Sequence, residues 1–485
     1  MTSGPFPSGL CSRRHFLGAG AFGLGSTALA WMLGQEGSLA EPVRPELERR
    51  HYDLLPKSGH HPARARAMIS ILMIGGPSQM DLLDPKPLLA KHEGQKFPGE
   101  LKYDNAGQAS AKILPGLWKF RNHGRCGTEV SELLPHLAKV VDNICVIRSM
   151  RTGVNNHGQS LYALTNGRIL QGAPVLGSWL GFGLGCESSE LPAFVTLTHP
   201  NGLPLLADHN WSAGWLPSLY QGTVIRPKEP RLLNLDPTEH LRGTAQERQI
   251  DFLRELNREH LERNPAELDL EARIASFALA ARMQTAAKEA MDISSESEAT
   301  RRLYGVDQDL TRDYATRCLI ARRLVERGVR FVQIVNNGQS WDHHSGLVKA
   351  LPDVCAKSDQ PIAALIRDLE SRGLLDSTLV HWGGEMGRLP VMQNDLGRDR
   401  VGRDHNTYGF TIWMAGGGIR GGMTYGETDE WSHHAVKDVV THHDYHATVL
   451  HLFGLDHRKL VYRRAGRELS LTDGKPARVV HEILA

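Results

Sequence analysis

Continuous apolar runs, rather than strict alternation, dominate the hydrophobic pattern of this chain. Met68 to Ile74 reads MISILMI and ends in Gly75-Gly76-Pro77. A short run that is apolar on both faces and closed by turn residues predicts a strand buried inside a parallel sheet. Similar runs stand at Ile144–Ile147, Ala193–Leu197, Phe331–Val335, Leu379–Trp382 and Phe410–Ala415. Helical spacing fills the intervals, at Leu133–Val141, Glu271–Lys288, Tyr314–Arg327 and Ile362–Glu370. The last of these puts Ile362, Leu365, Ile366 and Leu369 on one face. Ala447–Phe453 closes the series, with Asp444 expected to cap it. The alternation predicts an α/β fold: a mostly parallel central sheet with helices on both faces. Residues 199–245 break the rhythm with prolines, glycines, Trp211 and Trp215. Together with the helical stretch that follows, they predict an inserted cap region at about 199–305.

Two segments precede the first strand. Residues 41–66 are charged and proline-bearing and are expected to be an exposed lead-in. Before them, Ser12-Arg13-Arg14-His15-Phe16-Leu17 joins an arginine pair to a weakly apolar, glycine-rich stretch, and Ser38-Leu39-Ala40 offers small residues for cleavage. This is the pattern of a twin-arginine signal peptide over residues 1–40. It predicts recognition by the twin-arginine export machinery, removal of the leader, and a periplasmic or extracellular mature chain. Gly18 to Gly23 spells GxGxxG within the leader, but no strand precedes it, so it carries no dinucleotide reading. The remaining 67–485 is expected to form the α/β domain.

Charge adds little: the chain is +2 overall, with no basic stripe for nucleic acid and no later apolar run long enough for a stable membrane span. Cysteines give no CxxC pair, and loss of Cys11 leaves an odd five, so no zinc knuckle or disulfide framework is indicated. Histidine does change the picture. There are 24, many beside carboxylates, and imidazole with carboxylate is the ligand set of zinc, manganese and iron sites.

Open α/β sheets bind ligands beyond the carboxyl ends of their strands, and the polar clusters fall there. Asp81 and Asp84 follow the first run; Arg148, Ser149 and Thr152 follow the second. Asp342, His343 and His344 come after Val335, Glu385 after Trp382, and Arg403-Asp404-His405 just before Phe410. Asp342 and His344 are two apart, so an extended backbone points both the same way; His405 would complete a three-ligand site with an open position. Glu385, Asp404 and Asp81 or Asp84 are further candidate metal ligands. Thr152 and Ser149 are the candidate attacking hydroxyls, since a metal makes a bound hydroxyl competent near neutral pH. Arg148, Arg151 and Arg403 are candidates for holding a phosphate or sulfate oxyanion. His442-His443-Asp444-Tyr445-His446 also has the look of a metal site, but a helix start with a carboxylate cap explains it more simply.

The segments GGPSQMDLLDPKP from Gly75, VSELLPHLA from Val130, LGSWLGFGLG from Leu176, LPSLYQGT from Leu216, ARRLVERGVRFVQ from Ala321 and WDHH from Trp341 extend across the chain. So do DQPIAALIRDLESRGLLDSTLVHWGGEMGRLP from Asp359, GRDHN from Gly402 and DYHATVLHLFGLDH from Asp444. With these the chain resembles a bacterial family of twin-arginine-exported proteins of unknown function, distantly related to the sulfatases and the alkaline phosphatase superfamily. The resemblance implies a sulfatase-like fold and one or two divalent ions (zinc, manganese or calcium). On it, Asp342, His344 and His405 look like ligands of a first metal, and Asp81 or Asp84 with Glu385 like carboxylates of a second. Thr152-Gly153-Val154-Asn155-Asn156-His157 resembles the nucleophile segment of nucleotide pyrophosphatases with one residue too many, placing Asn156 and His157 toward substrate. Met386 stands where that superfamily has a histidine, and no CxPxR context for a formylglycine is present. The implied function is a metal-dependent hydrolase of small-molecule or carbohydrate phosphate or sulfate esters. The alternative is a non-catalytic exported binding protein with a degenerate metal site.

Overall fold

The computed structural model describes residues 52–101, 109–233, 235–236, 239, 243–264 and 268–485. Arg13, Arg14 and the rest of the expected leader lie outside the described residues, and so do residues 41–51 of the expected lead-in; in its described part, Tyr52 and Ala65 are buried in the core rather than exposed. The described chain belongs to one compact unit, 51–485. No described helix is long and apolar enough to cross a membrane.

Nine strands form the central sheet. In chain order they are β1 (Ala67–Leu72), β2 (Ile144–Arg151), β3 (Phe194–Leu197), β4 (Thr223–Ile225), β5 (Phe331–Val335), β6 (Thr378–Gly383), β7 (Phe410–Ala415), β8 (Met423–Tyr425) and β9 (Val440–Thr441). Across the sheet the order is β8-β2-β7-β6-β1-β5-β3-β4, with β9 also paired to β2. β1 lies centrally and in parallel register, Met68 opposite Phe331 and Leu379. The sheet is mixed but mostly parallel. The exception is β7, which runs antiparallel to both neighbours, β6 and β2.

The apolar runs are explained by coverage on both faces. Ile69, Ile71, Val332, Ile334 and Val380 enter one core cluster with α4 (Leu268–Met291), α5 (Arg312–Glu326) and α6 (Leu347–Ser371). Met68, Leu72, Phe331, Val335 and Leu379 enter the other, with α1 (His157–Asn166), α2 (Leu176–Leu184) and α7 (His442–Leu452). Successive strand residues therefore alternate between two buried faces. Truncating a central residue such as Ile69 to Ala costs about 2–5 kcal/mol.

Local expectations shift in three places. Leu133–Val141 forms only short 3-10 turns, Leu137–Lys139 and Val141–Asn143. The cap of α7 is Thr441, not Asp444: Asp444 is the third helical residue, and the two close a reciprocal capping box. In the 199–305 stretch, Ile225 and several α4 side chains join the first core cluster, whereas α3 (Thr244–Arg263) buries no residue.

Candidate metal centre

The antiparallel course of β7 decides where the site assembles. Parallel strands β1, β2, β5 and β6 deliver the residues that follow them to one rim. β7 runs the other way, so it delivers the residues before it, Arg403 to His405, to that same rim. The loops press together there. Arg403 N–H donates to His343 O at 3.0 Å and Leu347 N–H to Val401 O at 2.9 Å. Gly402 fits only because it lacks a Cβ, which would overlap the His344 carbonyl. Gly75 has φ +115°, and a Cβ there would strike the Asp342 backbone.

Four side chains meet at this point: His157, Asp342, His344 and His405 offer ligand atoms within 4.8 Å of one another. Among the described residues they form the one such group. Each histidine has its Nδ1 held by an acceptor. His157 Nδ1 lies 2.6 Å from Glu385 Oε1, His344 Nδ1 2.5 Å from Gln393 Oε1, and His405 Nδ1 2.9 Å from the Asn155 carbonyl. An acceptor at Nδ1 assigns the proton there and turns the Nε2 lone pair toward the centre, as in carboxylate–histidine–metal arrangements. The Nε2 atoms accordingly converge. His344 and His405 Nε2 are 3.0 Å apart, and Asp342 Oδ1 is 3.0 Å from the former and 3.7 Å from the latter. His157 Nε2 lies 3.4 Å from Asp342 Oδ2 and, although buried, has no hydrogen-bond partner.

These observations test whether a cation fits. Two facing imidazole nitrogens that are both acceptors repel, and a buried unpartnered nitrogen is costly; a shared cation satisfies all of them. Three imidazoles and one carboxylate suit zinc, manganese or iron. They do not suit calcium, included in the expectation from sequence, because calcium takes six to eight oxygens.

Electrostatics agree with a preformed anionic anchor. Burial alone would raise the Asp342 pKa. The close approach of His157, His344 and His405, with the nearby Arg388 guanidinium, instead holds it far below the carboxylate range. Burial likewise works against protonation of His157, but Asp342 and Glu385 lift it to about 9, so a cation taking up Nε2 would displace a proton from this ring.

The other expected residues are placed differently. Glu385, fully buried, orients His157 and accepts the Gly75 N–H at 2.9 Å. Asp404, also fully buried, accepts the His405 N–H at 2.8 Å and lies 3.7 Å from His344 Nδ1. Asp81 pairs with Arg403 at 2.9 Å and accepts the Ser78 hydroxyl at 2.5 Å, so both charges are spent on each other inside the protein. Asp84 faces Lys86 at 3.1 Å and Arg148 at 3.6 Å and accepts from Thr428 and Ser432. Arg148 also donates to Leu83 O, and buried Ser149 donates to Asp438 O at 2.7 Å. None of Asp81, Asp84, Arg148, Ser149 and Arg403 belongs to the four-ligand group. Exposed Arg151 sits over the Tyr408 ring, 5.8 Å from its centroid, and Asn156 caps α1. Thr152 Oγ1 is 3.3 Å from Ser160 Oγ, and its backbone is tied to Thr407 O.

Sequence reasoning put His157 toward substrate rather than metal, and missed Arg388, Gln393 and Asn155. Arg388 is 1% exposed and reaches Asp342 Oδ1 at 2.5 Å while donating to Gly75, Gly76 and Arg403 carbonyls.

No curated protein matches the sequence. Several solved structures are similar in chain path at low identity. The lipoteichoic acid synthase LtaP from Listeria monocytogenes has TM-score 0.38 and 10% identity, over 87% of this chain and 78% of that one. The PsFucS1 sulfatase from Pseudoalteromonas sp. has TM-score 0.34 and 12% identity, over 81% and 68%. A protein in the alkaline phosphatase superfamily from Vibrio parahaemolyticus has TM-score 0.35 and 9% identity, over 82% and 69%. A protein-family model described as "Protein of unknown function (DUF1501)" matches residues 65–484, nearly the whole described chain, and the chain belongs to that family.

Proposed function

We propose that this chain is an exported metal-dependent hydrolase of phosphate or sulfate esters, acting outside the cytoplasm. The observation that carries the reading is the convergence of three tautomer-fixed imidazoles and one carboxylate on a single point at the strand rim. A divalent ion held by His157, Asp342, His344 and His405 supplies Lewis acidity toward an ester oxygen and a hydroxyl. Glu385, Gln393 and the Asn155 carbonyl fix the histidine rings, and Arg388 fixes Asp342. The strand-end loop 152–157 joins the candidate nucleophile Thr152 to the ligand His157. Ser160 donates its own proton to Val154 O, so its oxygen is available to accept the Thr152 proton at 3.3 Å and orient the attacking hydroxyl. Ser149 is the weaker choice, because it is buried and already donates to a carbonyl.

A second reading, a binding protein with an incomplete centre, is favoured by one specific observation. Asp81 and Asp84, the carboxylates expected at a second ion, are both buried and engaged by cationic partners. One experiment separates the two. Aryl phosphate mono- and diesters and aryl sulfates are offered to wild type, Thr152→Ala and Ser149→Ala with zinc or manganese added. The hydrolase reading expects turnover of at least one ester, with Thr152→Ala losing most of the rate at unchanged metal content and Ser149→Ala retaining it. Turnover that survives in Thr152→Ala assigns the attack to water. No turnover by metal-loaded wild type selects the binding protein.

A further inference from the structure

A cavity of about 390 Å³ opens among the residues that follow β3 and β5, a size suited to a small ligand. Its walls come from the residues after β3 and β5, from the approach to and start of α5, and from Val354 and Lys357 of α6; none of the four clustered residues lines it. Two of its lining residues, Ser340 and Trp341, lead directly into Asp342. Ser340 is therefore at most about 7 Å from Asp342 along the backbone. The cavity wall thus runs on along the chain into a residue of the centre.

The lining specifies what that group is. Every charged side chain in it is already matched. Asp309 pairs with Arg312 at 2.7 Å, Asp313 with Arg317 at 2.7 Å, and Lys357 with Asp353 at 2.6 Å. His199 accepts the Asn201 N–H on Nδ1 at 3.1 Å and sets Nε2 3.6 Å from Asp313 Oδ2; burial and the Arg317 charge lower its pKa against the Asp313 charge. The lining therefore carries two carboxylates, Asp309 and Asp313, against one lysine that is shared with Asp353, a balance that disfavours a phosphate or sulfate there. Hydrogen-bonding groups remain: the amides of Asn201 and Asn337, the outer carboxylate edges, and the Ser340 hydroxyl, which is buried without a partner. Leu310, Val354 and the edges of Tyr314 and Trp341 supply apolar surface. Paired amides and carboxylate edges match vicinal hydroxyls, and aromatic and aliphatic walls match the C–H faces of a ring.

We propose that this cavity binds a neutral polyhydroxylated ring, a sugar unit, as the part of the substrate that bears the ester. The inference deepens the hydrolase reading and rests on it for the word substrate, but binding is measurable without turnover. Methyl glucoside, methyl galactoside and methyl mannoside are titrated by saturation-transfer NMR into the full chain as wild type, Asn201→Ala/Asn337→Ala and His344→Ala. Asn201 is exposed and Asn337 half-buried, and neither belongs to the core clusters, so truncation leaves the core intact. At least one glycoside is expected to bind wild type and His344→Ala alike and to lose about tenfold in affinity in the double variant. Aryl ester turnover should follow the opposite pattern, lost in His344→Ala and kept in the double variant. Three results overturn the sugar site: no glycoside binding to metal-loaded wild type, binding indifferent to the double variant, or competition by inorganic phosphate. Failure of aryl ester turnover with glycoside binding intact counts against the hydrolase alone.

Discussion

Asp342 is the residue on which the centre turns: Arg388 and all three clustered histidines approach its two oxygens. Replacing His157, His344 or His405 by Ala should each remove most of the bound metal. The effects should be strongly non-additive, since all three act on one ion, and metal stoichiometry after dialysis reads this directly. Full occupancy in His344→Ala/His405→Ala would place the site elsewhere. Glu385→Gln and Gln393→Leu act one step back and should weaken metal affinity by about 10–100-fold while leaving stoichiometry intact at saturating metal. Legibility divides along the same line. Asp342, His344 and His405 were readable because each sits in a polar cluster beside a predicted strand. His157 was not, because its part in the centre depends on Glu385 arriving at Nδ1 from another loop. Asp81 and Asp84 carried the same strand-end signal as the clustered residues, and only the structure shows that Arg403, Lys86 and Arg148 engage them.

At the scale of elements, six apolar runs were legible as strands because each is covered on both faces. Direction was not, since a strand buried on both sides reads the same forwards and backwards. That is why the reversed course of β7 escaped the sequence, although the chemistry just before it did not. The short strands β4, β8 and β9 carry too few residues for a periodicity. Gly402 is the element-level requirement of the site, holding the approach to β7 against the His344 loop. Gly402→Ala should force those segments apart, costing about 1–3 kcal/mol from overpacking and lowering metal content with it. Thermal unfolding and metal analysis on the same preparation check both, and a variant with full metal and unchanged Tm would refute the close-approach account.

For the whole molecule, buried neutral histidines set the response to acid. Burial pushes His381 and His446 down to about 3, with His442 adding to the shift at His446. Burial, with neighbouring imidazoles, holds His433 and His442 at about 4. Each folded value lies below the unfolded value of about 6.5. The unfolded chain therefore binds protons first as pH falls, and these groups favour folding fully only above about pH 6.5. Stability should decline progressively from there toward pH 4. Urea midpoints at pH 7.5, 6 and 5 measure the slope, which His381→Gln should reduce because it removes one titrating group. A midpoint independent of pH over that range would contradict the buried-neutral assignment.

The convergence of His157, Asp342, His344 and His405 has a consequence for the order of events during synthesis. Its donors come from three loops spread over more than half of the chain, and the last of them precedes the single reversed strand. A ribosome must have released that strand before the cluster exists. The ion therefore cannot template an early fragment, as it does in a zinc finger. An ion bound by this cluster would enter late, as a lock on a sheet already assembled, and a chain interrupted before β7 would lack the strand that sets His405 in place.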